Sequence, residues 1–85
     1  MEKKVIIKNP SGLHARPAAM LVHKASAFPC DISLIKDGNK ANAKSILNIL
    51  ALGVSQNSEI TVTASGERAE EAVEAIVEFL ASIVD

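Results

Sequence analysis

Glu59-Ile60-Thr61-Val62-Thr63-Ala64-Ser65 is the stretch that decides the fold, because apolar and polar residues alternate along its length. Alternation with a period of two is typical of a β-strand that buries one face and exposes the other to water. A sheet with a hydroxyl-rich outer face cannot be covered by helices on both sides. The stretch therefore predicts an antiparallel sheet whose helices pack on the face of Ile60, Val62 and Ala64.

Further strands and helices flank this stretch. The predicted strands are residues 5–7, 31–36, 40–43 and 59–65, with a turn at Asp37-Gly38-Asn39 between the second and third. Helical spacing of apolar residues predicts helices from Pro17 to about Ser26, from Ser45 onward, and after Gly66. The order βαββαβα predicts an α+β open-faced β-sandwich, a four-stranded antiparallel sheet with three helices on one face.

Length and composition restrict the function. The 85 residues have room for one core, so we expect a single domain over residues 1–85. The formal net charge is −1, and the aromatic residues are two phenylalanines. This composition disfavours an RNA-binding α+β module, which uses positive charge and stacking aromatic rings, and we expect no direct contact with nucleic acid.

The lone cysteine and the N-terminal residues argue against disulfide-bonded, zinc-binding, secreted and membrane-spanning proteins. Cys30 has no partner for an internal disulfide and cannot build a cysteine-based zinc site, so we expect a small buried apolar residue there. We expect neither a metal nor another cofactor. The first apolar stretch, residues 5–7, is far shorter than a signal peptide or a membrane span. We therefore expect a cytoplasmic protein without membrane insertion.

The chemistry is expected in the stretch Ser11-Gly12-Leu13-His14-Ala15-Arg16-Pro17-Ala18, which leads into the first predicted helix. The free N–H groups at a helix N-terminus favour anions, and phosphate above all. The backbone amides of Ala15, Arg16 and Ala18 are the candidate donors. The guanidinium of Arg16 adds a planar fork that matches phosphate oxygens.

His14 is the candidate nucleophile. The positive surroundings disfavour a positive charge on its ring, and a neutral ring nitrogen has a lone pair that can attack phosphorus. The chain has no glycine-rich phosphate loop and no paired carboxylates, so a carrier between two proteins fits better than an enzyme. From these residues alone an alternative stays open, in which His14 has no role and Arg16 is a solvated charge.

Two motifs, with the later Leu52-Gly53-Val54, resemble HPr, the family of histidine-containing phosphocarriers of the bacterial phosphoenolpyruvate:sugar phosphotransferase system. They are Gly12-Leu13-His14-Ala15-Arg16-Pro17-Ala18 and Asn42-Ala43-Lys44-Ser45-Ile46. The resemblance covers the chain in length, element order and motif spacing. It implies that His14 accepts a phosphoryl group on Nδ1 from phospho-enzyme I and passes it to the IIA components of sugar transporters. It also implies that Arg16 assists the transferring group.

Ser45 has a structural and a regulatory interpretation. Its position predicts an N-cap for the second helix. The resemblance also implies phosphorylation by an ATP-dependent HPr kinase/phosphorylase, after which the protein acts as corepressor with a catabolite control repressor. A purely regulatory interaction protein acting through phospho-Ser45 is therefore the alternative function. Relatives of that kind exist that have lost the histidine, so the presence of His14 and Arg16 favours the carrier.

The second helix is apolar nearly all round, so part of it should be exposed. We expect Leu47 and Leu50 to form the centre of a docking patch beside His14, although both leucines could equally belong to the core. The family often has methionine or phenylalanine at these places and glycine or lysine at Asn48, which affects partner preference. The cations expected around the patch are Arg16, Lys24, Lys40 and Lys44. A carrier with one docking patch predicts a monomer.

Overall fold

The computed structural model describes residues 1–84, which form a sheet of four strands with three helices. The strands are β1 Glu2–Ile6, β2 Asp31–Lys36, β3 Asn39–Asn42 and β4 Glu59–Ser65. The helices are α1 Ala15–Ser26, α2 Ile46–Ala51 and α3 Ala69–Ser82. The sheet has the order β1-β4-β2-β3, and every neighbouring pair is antiparallel. The predicted βαββαβα open-faced sandwich is confirmed.

The alternating pattern of β4 separates the two faces of the sheet as predicted. Ile60, Val62 and Ala64 are buried, whereas Thr61 and Thr63 are half-buried on the opposite face. The adjacent strand β2 contributes Ile32 and Leu34 to the same buried layer, and α3 packs against it with residues that recur at helical spacing. These residues of α3 are Ala72, Val73, Ile76 and Leu80. The core therefore lies between the sheet and the helices.

The bounds of β1, β3 and α1 differ from the predictions: β1 is Glu2–Ile6 where residues 5–7 were predicted, and β3 ends at Asn42, one residue early. Asp37 and Gly38 have φ of 50° and 82°, so the β2–β3 connection is a two-residue turn of the type that matches strand twist. Asn39 pairs with Lys36 and opens β3, which was predicted to begin one residue later. Helix α1 begins at Ala15, two residues before the predicted start at Pro17, because proline is tolerated anywhere in a first turn that lacks hydrogen-bonded N–H groups.

The helices within residues 1–84 are short. None is long and apolar enough to cross a membrane. Over the same residues, no cluster of three or more His, Cys, Asp or Glu side chains could hold a metal ion. Cys30 is a buried free thiol, as predicted.

Candidate functional site

His14 is the N-cap residue of α1. Its backbone is extended, with φ −86° and ψ −172°, and its side chain makes no capping hydrogen bond to the helix. The preceding residue, Leu13, is 4% exposed, whereas His14 itself is exposed at the surface. A buried anchor therefore directly precedes an imidazole that a second protein can reach.

The first turn of α1 determines which backbone amides can face an anion. Ala15 and Arg16 precede the first hydrogen bond within the helix, so their N–H groups belong to the set that helix geometry leaves unpaired. That first bond runs from the amide of Ala18 to the carbonyl oxygen of His14, at 3.0 Å. The expectation that Ala18 contributes a free amide is therefore corrected, because the helix already uses it. Two of the three predicted donors remain.

An open depression lies beside His14, between the start of α1 and the end of α3. Its lining includes Ser11, His14, Arg16, Met20, Phe79 and Ile83. Arg16 is exposed here, and His14, Ala15 and Arg16 line the same opening. A guanidinium and backbone N–H groups near one opening suit a group that carries negative charge on its oxygens.

Met20 belongs to this depression and was not singled out from the sequence. Its side chain is 53% exposed, although it is large and apolar. The buried stripe of α1 includes Ala18, Leu21 and Ala25, and Met20 lies off that stripe. An apolar residue off the buried stripe of an amphipathic helix is the signal that could have identified it.

The loop before His14 is held by a part of the chain far away in sequence. The amide of Leu13 donates to the carbonyl oxygen of Val54, at 3.1 Å. Gly12 has φ +62°, and a β-carbon there would press against the Val54 carbonyl oxygen and lie 2.7 Å from Cα of Ser55. Glycine is therefore required at this position by both conformation and space. The loop after α2 thus supports the segment that carries His14.

Ser45 is the N-cap of α2, as predicted. Its backbone is extended, and its Oγ accepts a hydrogen bond from the amide of Asn48, at 3.3 Å. Ser45 is half-buried, and α2 is a helix of 6 residues. A helix this short depends on its cap and its tertiary contacts, because isolated short helices are marginal in water.

The exposed face of α2 carries the expected leucines. Leu47 is 75% exposed and Leu50 is 39% exposed, whereas Ile49 is fully buried. The alternative that both leucines belong to the core is therefore wrong. Ile46, at 37% exposure, extends this apolar surface toward the N-terminus of the helix. The role of these residues in docking stays a prediction.

The predicted rim cations do not surround a single site. Lys44 is half-buried and its Nζ donates to the carbonyl oxygen of Phe28, at 2.7 Å, so it links two loops instead of projecting freely. Lys40 lines a polar depression with Asp31 and Ser33, separate from the one beside His14. Of the four predicted cations, Arg16 alone lines the His14 depression, and Lys24 lines the groove that continues from it between α1 and α3. These placements correct the expected ring of cations.

One exposed charge pair has clearly altered pKa values, and it lies outside the His14 depression. Arg68 donates to both carboxylate oxygens of Glu71, at 3.1 Å and 2.8 Å. These hydrogen bonds, with the attraction between the charges, lower the pKa of Glu71 and raise the pKa of Arg68. The Arg68 guanidinium also lies 5.1 Å from the centre of the Phe28 ring. The pair lies at the start of α3 and not at the candidate site.

Comparisons with known proteins agree on one family. The family model described as "PTS HPr component phosphorylation site" matches residues 1–82. HPr-like protein Crh of Bacillus subtilis (strain 168) is 42% identical, over 94% of this chain and 94% of that protein. Phosphocarrier protein HPr of Buchnera aphidicola subsp. Baizongia pistaciae (strain Bp) is 43% identical, over 96% of each chain. The crystal structure of HPr-C-His from Thermoanaerobacter tengcongensis superposes with a TM-score of 0.92, at 48% identity over 96% of this chain and 92% of that one.

The same comparisons bear on the prediction of a monomer. A crystal structure of Bacillus subtilis Crh, 42% identical with a TM-score of 0.80 over 98% of this chain and 95% of that one, is described as a dimer with a swapped domain. A small exposed docking patch thus does not by itself imply a monomer. The expectation of a monomer is corrected accordingly, because a relative with this fold also exists as a dimer.

Proposed function

The chain belongs to the PTS-HPr family, and on that premise we propose that it carries a phosphoryl group on His14 from enzyme I to IIA components of sugar transporters. The observation that carries the proposal is the exposed imidazole at the N-cap of α1, bordering one depression with Arg16. Relatives of the chain include a phosphocarrier protein HPr and Crh, which is described as a catabolite repression HPr. We place the work of this chain in the cytoplasm, as a carrier and not as an enzyme with its own substrate pocket.

The transfer requires little beyond positioning and charge compensation. The lone pair of Nδ1 of His14 forms a bond to phosphorus, while the bond from phosphorus to the donor breaks and its electron pair remains with the donor. The guanidinium of Arg16 and the amides of Ala15 and Arg16 stabilise the negative charge on the phosphoryl oxygens. In the second step, a nucleophile of the acceptor protein forms a bond to phosphorus while the bond from phosphorus to Nδ1 breaks, and its electron pair returns to the ring. The exposure of His14 supports this scheme, because both steps need a second macromolecule at the ring.

Partner docking is proposed to use the apolar surface of α2. Leu47 and Leu50 are exposed, and large exposed apolar side chains on a small protein are common centres of interaction surfaces. Arg16 and Lys24 supply positive charge on α1 for an acidic partner surface. Lys44, whose ammonium is held by a backbone carbonyl, contributes through its fixed charge.

The test is phosphorylation with enzyme I, phosphoenolpyruvate and Mg²⁺. We expect acid-labile, base-stable phosphate on the wild-type chain, which is the stability pattern of phosphohistidine. His14→Ala should abolish incorporation, Arg16→Ala should slow it, and Ser45→Ala should leave it intact. His23→Ala is the matched control, since His23 is an exposed histidine on the same helix. Undiminished labelling of His14→Ala would reject the proposal.

A second candidate function, a regulatory protein acting through phospho-Ser45, draws support from the likeness to Crh, a catabolite repression HPr. Ser45 lies at a helix N-terminus, where a phosphate group is well tolerated because the helix presents N–H groups and a partial positive charge. Incubation with ATP and an HPr kinase/phosphorylase tests it, with Ser45→Ala as the unlabelled control. Labelling confined to Ser45, with none on His14 from enzyme I, would favour regulation over transport. A phospho-Ser45 form should then bind a catabolite control repressor more tightly than the unmodified chain.

A further inference from the structure

Asn9 is the one buried polar side chain among residues 1–84, with 4% of its surface exposed. It lies between β1 and the loop that carries His14, in the turn Asn9-Pro10-Ser11-Gly12. Burying an amide is costly unless it forms hydrogen bonds, so such a residue needs a reason in the structure. Neither the core nor the proposed phosphoryl chemistry requires an asparagine here.

The turn is closed twice by this one residue. The amide of Gly12 donates to the backbone carbonyl of Asn9, at 3.1 Å. In the opposite direction, Nδ2 of Asn9 donates to the carbonyl oxygen of Gly12, at 2.8 Å, in a buried hydrogen bond. A backbone hydrogen bond and a side-chain hydrogen bond thus span the same four-residue turn.

The second bond fixes one end of a particular peptide group. The Gly12–Leu13 peptide accepts from Asn9 through its oxygen and donates to the Val54 carbonyl oxygen through its nitrogen, at 3.1 Å. Rotation of this peptide plane would break both bonds. The segment of Val54 and Ser55 lies so near Gly12 that even a β-carbon on the glycine would press against it, which leaves little room to shift the turn toward them. The plane therefore has one orientation.

His14 follows this peptide after one buried residue. The direction of the chain at Leu13 sets where the N-cap residue leaves the loop, and thus where its side chain starts. A displacement of about 1 Å in a reacting group can cost about 100-fold in rate.

We propose that Asn9 is a positioning residue for His14: its side-chain amide locks the Gly12–Leu13 peptide and thereby orients the imidazole toward the first-turn amides of α1. This inference rests on the proposed phosphocarrier function. Asn9 acts through the backbone and does not touch the phosphoryl group. Without its N–H donor, the peptide plane samples orientations in which the ring and the amides no longer point to one place.

The test compares Asn9→Ala with Asn9→Leu, which keeps nearly the shape of asparagine but has no N–H donor. With the chain as the varied substrate of phospho-enzyme I, we expect kcat to fall about 10-fold in both variants and KM to stay within about twofold. KM should hold because α2 and its exposed leucines are unchanged. The rate of phosphohistidine hydrolysis in the isolated phosphoprotein, measured across pH, should change as well. Val73→Ala is the control for lost stability alone. It creates a cavity beside α3, away from the turn, and should leave kcat unchanged.

NMR of the His14 ring gives a readout that does not need enzyme I. Both Asn9 variants should show shifted or split ring signals, whereas Val73→Ala should match the wild type. Wild-type kcat and ring signals in Asn9→Leu would overturn the inference, as would failure of both Asn9 variants to fold, because the residue would then serve the fold alone. A wild-type chain that accepts no phosphate would instead reject the phosphocarrier function, and the ring signals would still decide the role of Asn9.

Discussion

Replacing Gly12 by alanine tests the contact that supports His14, with Gly53→Ala as a matched control. Both glycines have positive φ, +62° and +70°, so alanine at either position incurs the left-handed penalty of about 1 kcal/mol. They differ in space. A β-carbon at Gly12 meets the backbone of Val54 and Ser55, whereas one at Gly53 meets nothing within 4 Å. Backbone atoms cannot swing aside as a side chain does, so overpacking should add about 1–3 kcal/mol at Gly12 alone.

The free energy of unfolding should therefore fall by about 1 kcal/mol in Gly53→Ala and by about 2–4 kcal/mol in Gly12→Ala. The chain has no tryptophan or tyrosine, so urea unfolding is best followed by far-UV circular dichroism. With an m-value of about 1 kcal/mol/M, the two midpoints should differ by about 1–3 M. Equal midpoints for the two variants would refute the close approach of Val54 as the reason for glycine at this position. Phosphate acceptance by folded Gly12→Ala should also be slower than by Gly53→Ala.

Three further predictions concern the Ser45 cap, the Arg68–Glu71 pair and the exposed side chain of Leu47. Ser45→Ala should lower the free energy of unfolding by about 1 kcal/mol, because the cap to the Asn48 amide is lost, whereas Ser45→Asp should retain most of it; equal thermal midpoints for the two variants would contradict the cap. The pKa of Glu71 is lowered by Arg68, so its contribution to stability is full above the ordinary carboxyl range and is lost as pH falls through the lowered pKa. An NMR titration should therefore show the Glu71 pKa rising toward its usual value in Arg68→Ala, and no change would contradict the pairing. Leu47→Asp should leave the unfolding midpoint nearly unchanged, since the side chain is 75% exposed, and should raise KM for phospho-enzyme I. An unchanged KM would remove Leu47 from the docking surface.

The sequence predicted the strands best where the pattern was strictly alternating. Residues 31–36 and 59–65 form strands with the predicted bounds. In each stretch, alternate apolar residues face the same buried layer, so the pattern marks the strand clearly. The start of β3 was missed by one residue, since a two-residue turn needs only Asp37 and Gly38 and releases Asn39 to the strand. The predicted start of α1 was two residues late, because proline can occupy any position of a first helical turn and here is the third residue of the helix.

The candidate site was predicted in part. The exposure of His14 and the cap at Ser45 follow from short stretches of sequence, since a capping side chain bonds to an amide three residues away. The sequence predicted exposed leucines on α2 but left their burial in the core open, because the helix is apolar nearly all round and only packing in the fold selects Ile49 over Leu47 and Leu50. The amide of Ala18 is not available to an anion, because it forms the first hydrogen bond of α1.

The sequence by itself determined the sheet with one covered face and the presence of a helix after His14, and it predicted the phosphate chemistry that we propose for the residues around it. These are local properties, set by periodicity, capping and residue type within a few positions. Only the tertiary structure decided that Lys44 is bound to the Phe28 carbonyl and that the loop before His14 rests on Val54. Such contacts join residues far apart along the chain. They form only when burial of the shared core brings the two segments together, so no local pattern contains them.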